Sequence, residues 1–279
     1  MEHMMRIGVD VGGTKIEAAL MDNEGVLTAR RRSSTPRNGY VAAVEAIVDL
    51  VKDVEKHAGQ PCSVGFSIPG TISLATGKVK NAPNSPFNGH YLDKDIANAL
   101  GRPVRMMNDA NCFALSEAVD GAAAGANIVF GVILGTGCGG GVIIDGKPLI
   151  GGNAISGEWG HNPMPWMSND EFPGPACKCG QVGCIETFLS GTGFQAHHLH
   201  ETGNALAPED IAAGAARGDK ICDASLTRYE NRLARALASV INMIDPDVIV
   251  LGGGVSNINR LYQNVPRYWT QWVFSDHVS

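Results

Sequence analysis

Apolar positions recur along this chain with two periods. Residues 6–22 alternate, with Ile7 and Val9 before a Gly12-Gly13 turn and Ile16, Ala18 and Leu20 after it. A period of two on both sides of a glycine pair predicts strand, turn and strand, with one face buried. Residues 131–145 repeat the design at a constant offset: Gly8 falls on Gly131, Val9 on Val132, Gly12 on Gly135 and Asp22 on Asp145. Two such hairpins, each opening one half of the chain, predict a duplicated α/β domain.

Between the hairpins, residues 40–57 carry a stripe at Val44, Ile47, Val48, Val51 and Val54, the spacing of one helix face. Residues 64–69 read as a buried strand broken by Pro69-Gly70. A polar loop over 77–90, with 81–88 shaping a ligand pocket, leads to a short helix at 93–100. A strand at 104–107 ends in Asn108-Asp109-Ala110-Asn111, and a helix follows over 111–119. The small, Gly/Ala-rich stretch 120–125 predicts a hinge, giving domains 1–120 and 121–279. In the second half, 183–200 predicts a helix. Residues 225–244 predict the longest one, striped at Leu226, Tyr229, Leu233, Leu237, Val240, Ile241 and Ile244 and stopped by Asp245-Pro246. Residues 247–251 read as a buried strand, 252–254 as a Gly turn, and Ser256 as the start of a further helix.

Composition narrows the class. The chain has 279 residues, 44% hydrophobic and 18% charged, with a net charge of −6. That balance describes a soluble globular protein and argues against nucleic-acid binding; the one basic run, Arg30-Arg31-Arg32, reads as a solvated strand end. No apolar run is long enough to span a bilayer, and residues 1–6 lack the core of a signal peptide, so the expected compartment is the cytoplasm.

Seven cysteines sharpen the picture. Cys62, Cys112, Cys138 and Cys222 are scattered as single buried thiols would be. Cys177, Cys179 and Cys184 instead share a C-x-C-x4-C spacing in a Gly- and Pro-rich segment too poor in apolar residues to order itself. Three thiolates plus His161 of Gly157-Glu158-Trp159-Gly160-His161 make the closed Cys3His set of a structural zinc, with no position left for catalytic water. A disulfide is the alternative, disfavoured by the odd cysteine count. His197, His198 and His200 follow nearby and read as an exposed helix face. Glu158 and Glu186 bracket the cluster, so a metal that fixes the loop also fixes both acids.

Three Gly-rich turns at strand ends form a second signal. Their amides can converge on an anion, and the absence of Cβ lets phosphate approach, so together they favour a nucleotide. None is a P-loop, and Gly135-Thr136-Gly137-Cys138-Gly139-Gly140 precedes a strand where a dinucleotide fingerprint needs a helix. Asp109 is the third signal. An acid at the carboxyl end of a buried strand stands where α/β sheets bind ligands, and phosphoryl transfer needs a carboxylate to orient a hydroxyl and take its proton. The same residue could simply cap the helix that begins near Ala110.

Taken together, residues 10–15 (DVGGTK), 108–111 (NDAN), 135–141 (GTGCGGG), 157–161 (GEWGH), 177–186 (CKCGQVGCIE) and 251–257 (LGGGVSN) resemble the ROK family of bacterial sugar kinases over almost the whole chain. Residues 80–89, 91–96, 117–125 and 160–166 look closest to its fructokinase (manno-fructokinase) branch, with the N-acetylglucosamine kinases next. The resemblance implies an actin-like, hexokinase-type (ribonuclease H-like) α/β fold of two domains with the active site in the cleft, closing on sugar. It implies Asp109 as general base. Asn108, Glu158, His161 and Glu186, with Asp109 and Gly70, would contact the sugar, and His161 would also ligate zinc with Cys177, Cys179 and Cys184. Gly12, Gly13, Thr14 and Lys15 would cradle the ATP phosphates from one domain and Gly135, Thr136 and Gly137 from the other. Asp10 would hold Mg2+ through water, and Gly253 and Gly254 would pass the adenosine. A homodimer is implied, acting on a sugar and ATP. Family members usually close with a Gly-rich segment and helix that return to the first domain, and the chain ends at Ser279 without them. Sugar-responsive repressors of the family carry a helix-turn-helix ahead of the first strand, which leaves no room for one before Arg6. A zinc hydrolase is disfavoured by the closed ligand set.

Overall fold

The computed structural model describes residues 5–82 and 85–278; Pro83 and Asn84 of the polar loop lie outside the described residues. The chain forms two compact units, Met1–Cys112 with Ile150–Ile155, and Phe113–Leu149 with Ser156–Ser279.

In the first unit the elements are β1 (Arg6–Val11), β2 (Lys15–Met21), β3 (Leu27–Ser34), α1 (Tyr40–Ala58), β4 (Ser63–Ile68), β5 (Thr71–Ile72), β6 (Val79–Lys80), α2 (Leu92–Leu100) and β7 (Arg105–Asn108). The sheet order is β3-β2-β1-β4-β7, antiparallel through the hairpins and parallel from β1 to β4 and β7. Alternation explains β1: Ile7, Val9 and Val11 are buried while Arg6, Gly8 and Asp10 face out. Helix α1 buries Ile47, Val48, Val51 and Val54 of the expected stripe and adds Ala43 and Leu50, while Val44 is only half-buried. The basic run is not a strand end. Arg30 and Arg32 lie within the edge strand β3 and both pair with Glu17 of β2. Residues Ile150–Ile155 belong here too, and Lys80 Nζ donates to the Asn153 carbonyl at 2.6 Å.

Helix α3 (Asp109–Val119) starts in the first unit and ends in the second, so the division falls inside a helix and not at 120–125. The reason is packing. A Cβ on Gly131 would meet Ala114, and one on Gly252 would meet the Phe113 ring, so the second turn of α3 lies directly on the second sheet. The 120–125 stretch is itself tied to α3, with the Ala122 N–H donating to Glu117 at 2.8 Å.

The second unit continues with β8 (Ile128–Leu134), β9 (Cys138–Ile144), β10 (Lys147–Pro148), α4 (Ile185–Leu189), α5 (Gly191–Thr202), α6 (Pro208–Ala216), α7 (Lys220–Ile244), β11 (Val248–Gly252) and α8 (Arg260–Trp269). The sheet order is β10-β9-β8-β11, with β11 parallel to β8. The second hairpin matches the first only in part. Val11 faces Ile16, leaving 12–15 in the turn, whereas Leu134 faces Cys138, leaving 135–137, so the constant sequence offset holds for the first strands while the return strand slips by a residue.

Two expectations fail in this unit. Residues 183–200 do not make one helix, because Ser190 is extended and its hydroxyl accepts the Gly193 N–H, ending α4 and capping α5. The histidines do not share an exposed face either. His198 is 2% exposed with Nδ1 2.9 Å from Ser225 Oγ, His197 stacks on Phe188 with ring centroids 4.9 Å apart, and only His200 is exposed. Burial holds the His197 imidazole down at about 4. Among the described residues no helix is long and apolar enough to cross a membrane.

Candidate active site and metal cluster

In the first unit, Asp10, Gly12, Gly13, Thr14 and Lys15 follow one another along the β1–β2 hairpin. The turn is braced from outside: the Gly12 N–H donates to the Lys15 carbonyl at 2.9 Å, the Thr35 hydroxyl to the Gly12 carbonyl at 2.7 Å, and the Thr35 N–H to the Thr14 carbonyl at 3.0 Å.

Asn108 closes β7 and Asp109 opens α3. The capping role falls to Asn108, whose Oδ1 accepts from Ala110 N–H at 3.0 Å and from Asn111 N–H at 3.4 Å, while its Nδ2 donates to the Gly70 carbonyl at 3.1 Å. Asp109 shares that cap, its Oδ1 accepting from the Ala110 N–H at 2.8 Å, and its second carboxylate oxygen takes no part in it. Desolvation raises the Asp109 carboxyl above its ordinary range, the Ala110 N–H opposes it, and the charge of Asp10 raises it further. A carboxylate shifted upward is a stronger base than an ordinary aspartate, the direction that a proton acceptor needs.

In the second unit the 135–137 turn is held by α4 and α5. The Gly191 N–H donates to the Gly135 carbonyl at 2.7 Å and the Thr192 hydroxyl to the Thr136 carbonyl at 2.9 Å. Glu186, in the first turn of α4, accepts the Cys138 N–H at 3.0 Å. A Cβ on Gly137 would sit 2.8 Å from that carboxylate, so any other residue there would push the tip of Glu186 aside. The next glycines serve packing. Gly157 and Gly160 press their backbones onto Gly140 and Cys138, and the Trp159 indole N–H donates to the Gly139 carbonyl at 3.0 Å. The run Gly139-Gly140-Gly141 thus seats the 157–161 segment, and that segment presents Glu158 and His161 at the two ends of a 3-10 turn.

The four expected ligands converge: one donor atom each from His161, Cys177, Cys179 and Cys184 lies within 4.8 Å of the others. Cys177 Sγ is 3.6 Å from His161 Nδ1, and Cys179 Sγ is 3.6 Å from Cys184 Sγ. These spacings exclude a disulfide, which needs about 2.05 Å. They match the edges of a tetrahedron with zinc–ligand bonds of about 2.0–2.3 Å, which are roughly 3.6–3.8 Å long. Burial and the neighbouring sulfurs push the Cys184 thiol up to about 12, while the Gln181 backbone N–H and the other thiols lower Cys179. The donor set, three sulfurs and an imidazole nitrogen, is one that could hold zinc.

The intervening segment has an anchor of its own. Glu171 is 8% exposed and receives Arg232 Nε and Arg235 Nη2 of α7, each at 2.8 Å, with the Ser168 N–H at 3.1 Å. Burial by itself would raise this acid; the hydrogen bonds from both guanidinium groups outweigh it and hold it at about 2.

Gly253 has a φ of 83° and passes beside the Leu134 carbonyl and Gly135 N–H, so a Cβ there would come within 2.5 Å of backbone. Gly254 borders a cleft of about 480 Å³ whose other walls include Glu209, Ala212, Asn257, Arg260 and Gln263.

The sequence model of the ROK family matches residues 6–278. The chain belongs to the ROK family. Among curated relatives, the N-acetyl-D-glucosamine kinase of Citrobacter koseri is 40% identical over 272 residues, 95% of this chain and 90% of that protein. The fold is similar to that of the ROK hexokinase from Thermus thermophilus, with a TM-score of 0.84 and 29% identity across 96% of this chain and 89% of that one. It is also similar to a ROK family glucokinase from Streptomyces griseus solved with glucose and AMPPNP, with a TM-score of 0.77 and 28% identity across 97% and 90% of the two chains. The hexokinase-type α/β architecture follows from these likenesses. The motifs set fructokinases first, and these curated relatives carry the name that stood second.

Several contacts of this ROK chain escaped sequence reading. Helix α6, which supplies Glu209 and Ala212 to the cleft, announces itself only by Pro208 at its first turn and the acids Glu209 and Asp210 behind it. Thr35 and Thr192, which brace the two turns, are remote from them in sequence. Lys178 is legible in sequence only as the residue between two cysteines, and its contact with Glu186 is seen in the structure.

Proposed function

We propose that this ROK-family chain transfers the γ-phosphoryl group of ATP to a hexose hydroxyl and that its acceptor is N-acetyl-D-glucosamine. The acceptor rests on one observation, the 40% identity across nearly the whole chain to a protein of that name. Asp109 takes the hydroxyl proton as the oxygen attacks; its raised basicity suits that role, and Asn108 orients it while capping α3. Glu158, His161 and Glu186 hydrogen-bond sugar hydroxyls, with Gly70 beside Asn108. The 12–15 and 135–137 turns receive phosphate, Asp10 serves Mg2+ through water, and Gly253 and Gly254 border the nucleoside, a role that the cleft beside Gly254 supports. His161, Cys177, Cys179 and Cys184 hold zinc, which supplies rigidity and no open coordination position.

Fructose is the second reading, carried by residues 80–89 and 160–166, and mannose and glucose follow. ADP release measured over a panel of these sugars tests the proposal. N-acetyl-D-glucosamine should give the highest kcat/KM, and a lead for fructose would overturn the acceptor while leaving the kinase reading intact. No sugar-dependent ADP release would overturn both.

A further inference from the structure

Lys178 occupies the one position between two cysteines of the metal cluster. Its ammonium nitrogen stands 3.1 Å from Glu186 Oε1 and 3.3 Å from Oε2. The same carboxylate accepts the Cys138 N–H at the end of the 135–137 turn. A Cβ on Gly137 would sit 3.7 Å from Lys178 Nζ and 2.8 Å from Glu186, so ammonium and carboxylate both stand against the turn.

Two features distinguish this pair from an ordinary surface ion pair. The Glu186 side chain is 12% exposed, whereas Lys178 is 57% exposed, so the cation keeps most of its surface open while the anion is set into the protein. Secondly, a carboxylate accepting an amide of a phosphate-binding turn opposes the ligand that the turn is shaped for, because like charges repel most strongly where water is scarce. Among the described residues, the ion pair of Glu186 is with Lys178. An ammonium has three donors, and Glu186 does not exhaust them.

Resting on the kinase reading above, we propose that Lys178 is a nucleotide-binding residue: it neutralises Glu186 at the second turn and presents its remaining donors to the terminal phosphates. The cysteines on either side fix its backbone, so the metal cluster positions a cation for ATP as well as acids for the sugar. The effect is specific to phosphate charge and absent for a nucleotide that ends at the α-phosphate.

Calorimetric titration of the metal-loaded protein tests this, with a non-hydrolysable ATP analogue plus Mg2+ and with AMP as ligands. K178M should raise Kd for the triphosphate about tenfold, roughly 1.4 kcal/mol, leave AMP binding and metal content unchanged, and be largely rescued by K178R. Unchanged triphosphate affinity in K178M overturns the assignment. Equal weakening of AMP, loss of metal, or a raised sugar KM with normal nucleotide binding also overturns it, since each makes Lys178 structural or a sugar ligand. Wild-type protein that binds neither nucleotide removes the kinase reading itself.

Discussion

The two glycine turns share a sequence design and differ in what supports them. The first is braced from within its own unit's sheet region, by Thr35 just beyond β3. The second is braced by α4 and α5, and through Glu186 and Lys178 it is tied to the segment bearing Cys177, Cys179 and Cys184. A duplicated hairpin therefore carries two different sets of supports: the 12–15 turn is held from the sheet, whereas the 135–137 turn is held by helices and, through Glu186 and Lys178, reaches the cysteine segment proposed to hold zinc. Repetition in sequence says nothing about this, because the bracing residues lie outside the repeat.

The largest expected effect sets the scale. Asp109→Asn should lower kcat by roughly a hundred- to ten-thousandfold while nucleotide affinity measured by titration stays near wild type at both turns. The raised Asp109 carboxyl adds a pH signature: the acid limb of the kcat profile should lie above the ordinary carboxylate range, since the base works only when ionised.

Glu171→Gln comes next. It leaves Arg232 and Arg235 buried without their partner and should destabilise the protein by about 3–5 kcal/mol in urea unfolding. The sign of its pH dependence is fixed. Its folded value of about 2 is below its ordinary 4.5, so its contribution is present above 4.5 and is lost as pH falls from about 4.5 to about 2, on the order of 3 kcal/mol in all. Acid unfolding of the variant should lack that component.

Removing metal with a chelator addresses the comparison directly. Turnover should fall by about ten- to a hundredfold, the range typical of losing support around a site. Hydrogen exchange should quicken at Cys138 and along 177–186 and stay unchanged along 12–15. Equal quickening at both turns would erase the distinction. The smallest effects separate the braces: Thr35→Val and Thr192→Val should each cost about 1 kcal/mol, with faster exchange confined to the 12–15 turn in one and to the 135–137 turn in the other.

What could be read from sequence was local. The hairpins, the α1 stripe and the C-x-C-x4-C spacing are each local, where periodicity and ligand geometry act directly. The break at Ser190 was hidden because the residues on both sides are helical and one hydroxyl decides the matter. His198 looked like part of a polar face because Ser225, its partner, is on another helix. The glycines after the second turn were legible as glycines but not as a seat for Trp159. Asp109 is legible from its place at the end of β7, while its sharing of the Ala110 amide with Asn108, which alone takes the Asn111 amide, is visible only in the structure. The preferred sugar lay beyond motif reading, since hydroxyl-binding residues are common to several hexoses and discrimination depends on pocket shape.

Glu171 gives the stretch between His161 and Cys177 a second mooring that owes nothing to the ion. With one end made fast to α7, the ligands cannot drift far when the cluster is emptied. On the zinc reading proposed above, reloading is a short local search and not a refolding event, so stripped protein should regain metal quickly at neutral pH and the Glu171→Gln variant more slowly at the same pH.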